Sequence, residues 1–147
     1  MDLVIKDYDN ANYEVVKDLL IESFPEVHDL LVEGLVGEEV LNLDKNKYLQ
    51  LVAYCDGLVV GYALASRSYD PIMKRKNIWI DYVCVNSLYR GRGIAGKLLQ
   101  KIESVAREEK VLFLQLTSSR FRTGARKLYT NFGFVMRESD IFRKVLD

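Results

Sequence analysis

An α+β domain with a mixed, mainly antiparallel sheet of about seven strands flanked by about four helices is what this sequence predicts. Three observations carry that expectation. Two apolar, β-prone runs meet at Asp56-Gly57, a pair that tolerates the positive φ angles of a two-residue hairpin turn. From Gly93 onward the apolar residues switch to helical spacing, which marks a change of element type. Short strand-like and helical segments also alternate along the whole chain, with no internal repeat and no low-complexity linker. At 147 residues the chain has the size of one domain, so residues 1–147 are read as a single unit around one core.

Leu3 to Asp7 alternates weakly and reads as a first strand. Asp9 or Asn10 can then cap a helix in which Val15, Val16, Leu19, Leu20 and Phe24 recur at helical spacing, and Pro25 closes it. Val27 to Val40 is again helix-like, but Gly34 and Gly37 predict a loose or broken element. Tyr48 to Cys55 and Leu58 to Ala65 form the hairpin around Asp56-Gly57. Ser66 to Lys76 is polar and contains Pro71, so it is expected as a loop, followed by a strand from Ile78 to Val85. Ile94, Leu98, Leu99, Ile102, Val105 and Ala106 lie on one helical face, with Lys97, Lys101, Glu103 and Arg107 mostly opposite. A strand from Val111 to Thr117 follows. Ala125, Leu128, Tyr129 and Phe132 mark a short helix ended by Gly133, and Phe134 to Arg137 with Ile141 to Leu146 are expected as a closing antiparallel pair.

Lys+Arg and Asp+Glu each total 21, and this balance speaks against nucleic acid or an anionic membrane as the main partner. Locally, Arg120, Arg122, Arg126 and Lys127 form a basic cluster without an acid, which fits either a phosphate or a solvated helix start. Cys55 and Cys84 lie in apolar runs without metal-type spacing and are expected as buried free thiols in a reducing cytosol, with no metal bound. No apolar run of about 18 residues is present, so a cytoplasmic location is expected.

The chemistry concentrates between the strand ending at Val85 and the helix after Gly93, in Asn86-Ser87-Leu88-Tyr89-Arg90-Gly91-Arg92-Gly93-Ile94-Ala95-Gly96. A helix N-terminus offers unpaired N–H groups and a partial positive charge, and glycines let a phosphate approach the backbone. Glycines used only for a tight turn would leave the same trace. The spacing fits neither a Walker loop, which needs Lys followed by Ser or Thr, nor a dinucleotide fingerprint.

Arg90-Gly91-Arg92-Gly93-Ile94-Ala95 resembles the Arg/Gln-x-x-Gly-x-Gly/Ala signature of the GNAT superfamily of acyl-CoA-dependent N-acetyltransferases. The preceding Val83-Cys84-Val85, the following Leu98-Leu99, and Ala125-x-x-Leu128-Tyr129-x-x-x-Gly133-Phe134 agree with the same family's central strand, packing helix and late helix. The resemblance implies a GNAT-like fold and acetyl transfer from acetyl-CoA to a primary amine, on a small molecule or a peptide. It implies that the backbone from Arg90 to Gly96 holds the CoA pyrophosphate and that the strand edge at Val83, Cys84 and Val85 accepts pantetheine. An N–H of Cys84 or Val85 would face the carbonyl oxygen, and Tyr129 would lie near the thioester sulfur as proton donor. Many members carry Asn where this chain has Arg122, so Arg122 is expected to face the cofactor in another way. A tyrosine that only fills the core beside Leu128 and Phe132 would look the same in sequence.

A base for the ammonium proton is less marked. Asp81 sits in the apolar strand, where alternation puts it on the face of Val83 and Val85, and an acid there is costly without a task or partner. Glu22 and His28, the single histidine, are rivals. Tyr48, Tyr54, Tyr62, Tyr69, Tyr82 and Trp79 cluster around the strands and receive no role beyond packing. Two further classes stay open: a regulatory module that binds acyl-CoA without transferring the acyl group, and a nucleic-acid binder using the cluster from Arg120 to Lys127. A homodimer through an open sheet edge is expected.

Overall fold

The computed structural model describes residues 2–118 and 122–146, which divide into two units, Met1–Thr117 and Ser118–Asp147. In the first, a sheet runs in the order β1 (Leu3–Asp7), β2 (Tyr48–Cys55), β3 (Leu58–Asp70), β4 (Arg75–Val85) and β5 (Phe113–Gln115). Neighbours are antiparallel except β4 and β5, which are parallel. The helices of this unit are α1 (Tyr13–Ser23), α2 (His28–Gly34) and α3 (Ile94–Glu108). The second unit carries α4 (Thr123–Asn131).

Side-chain alternation splits the sheet between two helical layers. Val16, Leu19 and Leu20 of α1 share a buried cluster with Val52, Tyr62 and Cys84. The adjacent Gly61 faces the other way, where a Cβ would come within 3.3 Å of Ile94 on α3. Ile94, Leu98, Leu99 and Ile102 of that helix are all buried. Burial of each such side chain contributes about 1.5–3 kcal/mol relative to exposure, so α3 is pinned along its length and its N-terminus is held at the end of β4.

Local signals behave as their chemistry requires. Asp56 and Gly57 adopt φ of 50° and 85° at the hairpin turn. Asp9 caps a single 3-10 turn ahead of α1, accepting from the Ala11 N–H while Asn12 closes the box in return. The segment from Val27 to Val40 is broken, as its glycines predict: α2 stops at Gly34, and Gly37 at φ 90° precedes a 3-10 turn over Glu38–Leu41. Both cysteines are free and buried.

Two expectations need correction. Ser66 to Lys76 is mostly strand, with a turn only over 71–74. Ser66 pairs with Trp79 and Asp70 with Arg75, because backbone pairing satisfies a hairpin whatever its side chains, and polar residues suit the positions that face water. The expected seven strands are five among the described residues. Phe134 to Arg137 and Ile141 to Leu146 form no strand, and Val135, Met136, Ile141, Phe142, Val145 and Leu146 are exposed. An isolated strand pair is marginal in water, and the described residues of that unit include no sheet to stabilise one.

Candidate active site

The parallel partner of β4 is short. β5 pairs only with Asn77, Ile78 and Trp79, so among the described residues the strand keeps one neighbour, β3, from Ile80 to Val85. The Asn86 N–H donates to the Val60 carbonyl of β3 at 2.8 Å, and antiparallel alternation therefore turns the backbone groups of Cys84 toward β3 and those of Val83 and Val85 toward the unpaired edge. The Arg90 Nε donates to the Val85 carbonyl at 3.3 Å, which agrees with that orientation. Of the two donors expected for a carbonyl oxygen, Val85 lies on the open side and Cys84 does not.

The same strand contains a bulge. Leu64 pairs with Tyr82 and Ala65 with Ile80, so Asp81 is skipped. The extra residue shifts the alternation, and Asp81 does not share the face of Val83 and Val85. Instead its carboxylate accepts from the Ser66 hydroxyl and lies near enough to Tyr62 to influence it, on the α1 side. It is exposed rather than buried in an apolar strand, so burial does not by itself demand a task of it. Partial desolvation still raises its pKa above the ordinary carboxylate value, against the Ser66 hydrogen bond.

Asn86 closes the strand, its side chain accepting from the Leu88 N–H at 2.9 Å. The chain then runs through Arg90, Gly91 and Arg92, all exposed, to Gly93. Gly91 and Gly93 both sit at φ 78°, and a Cβ on either would meet open space. Gly93 is the N-cap of α3, and no side chain caps the helix. The first amides of α3, on Ile94, Ala95 and Gly96, thus have no side-chain cap among the described residues. The guanidinium of Arg92, in the same loop, lies over the Tyr89 ring at 5.0 Å. The arrangement suits an anionic oxygen.

The last turn of α1 reaches this end of β4. The Ser87 hydroxyl donates to Glu22 Oε1 at 2.8 Å, and Phe24 meets Tyr82 edge-on at 5.3 Å between ring centroids. Ser23 hydrogen-bonds the Cys84 thiol, whose burial nevertheless pushes it up to about 12. A thiol held so firmly protonated is a poor nucleophile. His28 is exposed and paired with Asp29 at 3.1 Å. A groove of about 390 Å³ follows α1 and α2, with Tyr13, Glu14, Lys17, Val36 and Glu38 among its walls. Sequence reasoning missed the Ser87, Phe24 and Tyr82 contacts, and no periodicity or motif could have revealed them.

In the second unit, Arg122 precedes α4 and influences Tyr129 electrostatically. Tyr129 is half-buried, with its ring edge-on to Phe134 at 6.0 Å. Burial raises its pKa and the Arg122 charge opposes the rise, leaving a phenol that keeps its proton at neutral pH. Of the basic cluster from Arg120 to Lys127, Arg120 lies outside the described residues. Among the described residues no group of three or more His, Cys, Asp or Glu side chains could hold a metal, and no helix is long and apolar enough to cross a membrane.

Comparison with known proteins gives this geometry a context. The model of the acetyltransferase (GNAT) family matches residues 13–134. The Mus musculus N-acetyltransferase 8B is 35% identical over 83 residues, a match covering 56% of this chain and 36% of that protein. The likeness therefore spans little more than a third of that relative. An aminoglycoside acetyltransferase from an uncultured soil metagenomic sample superposes with a TM-score of 0.84 at 20% identity, covering 100% of both chains. An aminoglycoside N-acetyltransferase in complex with CoA superposes with a TM-score of 0.79 at 21% identity, covering 98% of this chain and 95% of that one. At these identities the two structures are alike in fold.

Proposed function

This chain belongs to the acetyltransferase (GNAT) family, and from that premise we propose that it transfers the acetyl group of acetyl-CoA to a primary amine of a small molecule or a peptide. The observation that carries the reading is continuity: the unpaired edge of β4 at Val83 and Val85 runs directly into the open glycines and uncapped amides of α3. One extended ligand with amides at one end and a pyrophosphate at the other matches that track. Pantetheine adds to the strand edge as a strand would, and the phosphates meet the N–H groups of Ile94, Ala95 and Gly96 with Arg90 and Arg92 beside them.

The reaction that the family resemblance implies assigns the remaining roles. A neutral amine attacks the thioester carbonyl carbon, and the Val85 N–H stabilises the oxygen as it gains negative charge. The carbon–sulfur bond breaks, Tyr129 gives its proton to the departing thiolate, and the ammonium proton passes to Asp81 or to solvent. The raised pKa of Tyr129 suits a donor, while the buried Cys84 thiol argues against an acyl-enzyme on that residue. Glu22 and the groove along α1 are left to orient the acceptor.

Thermal unfolding with and without acetyl-CoA, followed by a thiol-release screen over polyamines, aminoglycosides and peptides, tests the proposal. Stabilisation together with release against at least one amine supports it. Stabilisation without release against any amine would replace it with an acyl-CoA-binding regulatory module, and no stabilisation would remove both.

A further inference from the structure

The hairpin of β3 and β4 ends in a turn that presents apolar side chains to solvent beside a run of basic ones. Ile72 is 86% exposed, Met73 60% and Tyr69 56%. The turn backbone is held in place: Asp70 Oδ1 accepts from the N–H groups of Ile72 and Met73 at 3.0 and 3.1 Å, and Lys74 takes a left-handed φ of 54° to close the turn. An ordered turn that presents Ile and Met to water leaves apolar area exposed unless something covers it.

Charge says what that cover is. Lys74, Arg75 and Lys76 follow the apolar pair directly, and no acid occurs between Pro71 and Ile80. Of the nearby acids, Asp70 holds the turn amides and reaches Arg75 at 3.9 Å, and Glu109 pairs with Arg67 at 2.7 Å while also feeling the Lys76 charge. Descending from the tip, the order is apolar (Ile72, Met73), then basic (Lys74, Arg75), then a level where Tyr69 pairs with Lys76. That sequence of layers matches a bilayer surface: acyl boundary, anionic headgroups, and the height at which tyrosine collects. A second copy of this chain meeting tip to tip would set like charges against each other, and a nucleic acid would have no use for Ile72 and Met73.

We propose that the β3–β4 hairpin tip docks on an anionic lipid surface, with Ile72 and Met73 entering the interface and Lys74 and Lys76 meeting the headgroups. The zero net charge of the whole chain averages over this tip and does not bear on it. Ten residue steps separate Arg75 from Val85 along β4, about 33 Å, so a docked hairpin leaves the cofactor edge in water. The proposal stands independently of acetyl transfer.

The test is co-sedimentation of the full chain with vesicles of phosphatidylcholine alone and with about 30% phosphatidylserine, at low and high salt. Binding to the anionic vesicles at low salt is expected. It should fall at least about tenfold in the double variant Ile72→Ser/Met73→Ser, and about fivefold for each of Lys74→Gln and Lys76→Gln. These side chains face solvent, so the thermal midpoints of the variants should match the parent and exclude misfolding. No vesicle binding, binding indifferent to phosphatidylserine, or full binding by Ile72→Ser/Met73→Ser would overturn the proposal. So would tip variants that change only self-association in sedimentation velocity, which would make a second copy the occupant, or only retention on nucleic acid.

Discussion

Replacing Gly93 by alanine separates a phosphate cradle from a mere turn, because the structure supplies its own control. Gly93 and Gly57 have φ of 78° and 85°, and a Cβ on either meets open space. Gly57→Ala and Gly93→Ala should therefore cost the same left-handed strain, about 1–2 kcal/mol, and lower the thermal midpoint similarly, by about 4 °C for each kcal/mol in a chain of this size. They should part company when acetyl-CoA is added at about 100 times its Kd. Parent and Gly57→Ala should gain about 2.7 kcal/mol, or about 10 °C. The new methyl at Gly93 stands in the open space before the α3 amides, and a lost charged hydrogen bond there is worth about 2 kcal/mol, or about thirtyfold in Kd. At the same ligand concentration the remaining gain is about 0.9 kcal/mol, near 3 °C. Differential scanning fluorimetry across a ligand titration resolves a difference of that size. If Gly93→Ala keeps the full ligand-induced rise while losing the same midpoint as Gly57→Ala, the glycines serve the turn and the pyrophosphate lies elsewhere.

Tyr129→Phe should lower kcat by about 10²-fold or more while acetyl-CoA affinity changes little, since general acid help is worth about 10²–10⁴-fold and a phenol adds little to ground-state binding; equal losses in both, measured by steady-state kinetics and titration, would reduce Tyr129 to packing. Asp81→Asn separates task from stability: as base, Asp81 must be ionised, so turnover should rise with pH along a limb set above the ordinary carboxylate value and that limb should vanish in the variant. Its folded pKa is raised, so it favours the fold below its unfolded pKa and that benefit is lost as pH rises through the folded one. Asp81→Asn should accordingly be no less stable than the parent at pH 7 by thermal melting. Glu109 is the opposite case, held below its ordinary value by the Arg67 guanidinium, so its contribution is present above the unfolded pKa and lost as pH falls through the folded one. Glu109→Gln should lose about 1 kcal/mol at neutral pH, a partly exposed bidentate pair being worth no more, and the gap to the parent should close in acid.

What could be read in the sequence was whatever rests on residues near one another in the chain. Asp56-Gly57 announces its turn, Leu98, Leu99 and Ile102 their buried face, and Gly34 and Gly37 a broken helix, because each depends on local dihedral or periodic constraints. The strand–loop–helix passage around Arg90 to Gly96 was legible for the same reason, since strand, glycines and helix start are consecutive. The polarity of Ser66 to Lys76 was mistaken for irregular backbone, since a two-sided solvent-exposed strand and a loop have the same composition. Phe134 to Leu146 failed in the opposite sense: alternation supplies a strand's side chains but not the neighbour it must pair with. The position of Asp81 was illegible because a bulge is a relation between two strands, and a one-residue slip reverses the face of every later residue in the strand.

That slip also orders the candidate chemistry. Without the bulge, Asp81 would share a face with Val83 and Val85, on the side packed by α3, where a carboxylate would have neither water nor an acceptor to serve. With it, the carboxylate turns to the α1 side, beside Ser66 and the layer that holds Tyr62 and Tyr82, while the edge groups of Val83 and Val85 stay in line with the glycines of the adjoining loop. Under the proposed mechanism the strand separates two demands by direction: hydrogen bonding within the sheet plane toward a strand-like ligand, and acid–base chemistry normal to it. A substitution that removed the bulge should uncouple them, leaving acetyl-CoA binding in place and abolishing the pH limb assigned to Asp81. Deleting Asp81 outright, which restores continuous pairing of Leu64 and Ala65 with successive residues, is the direct trial. Retention of both cofactor-induced stabilisation and an unchanged pH profile in that deletion would show that the carboxylate has no part in the reaction.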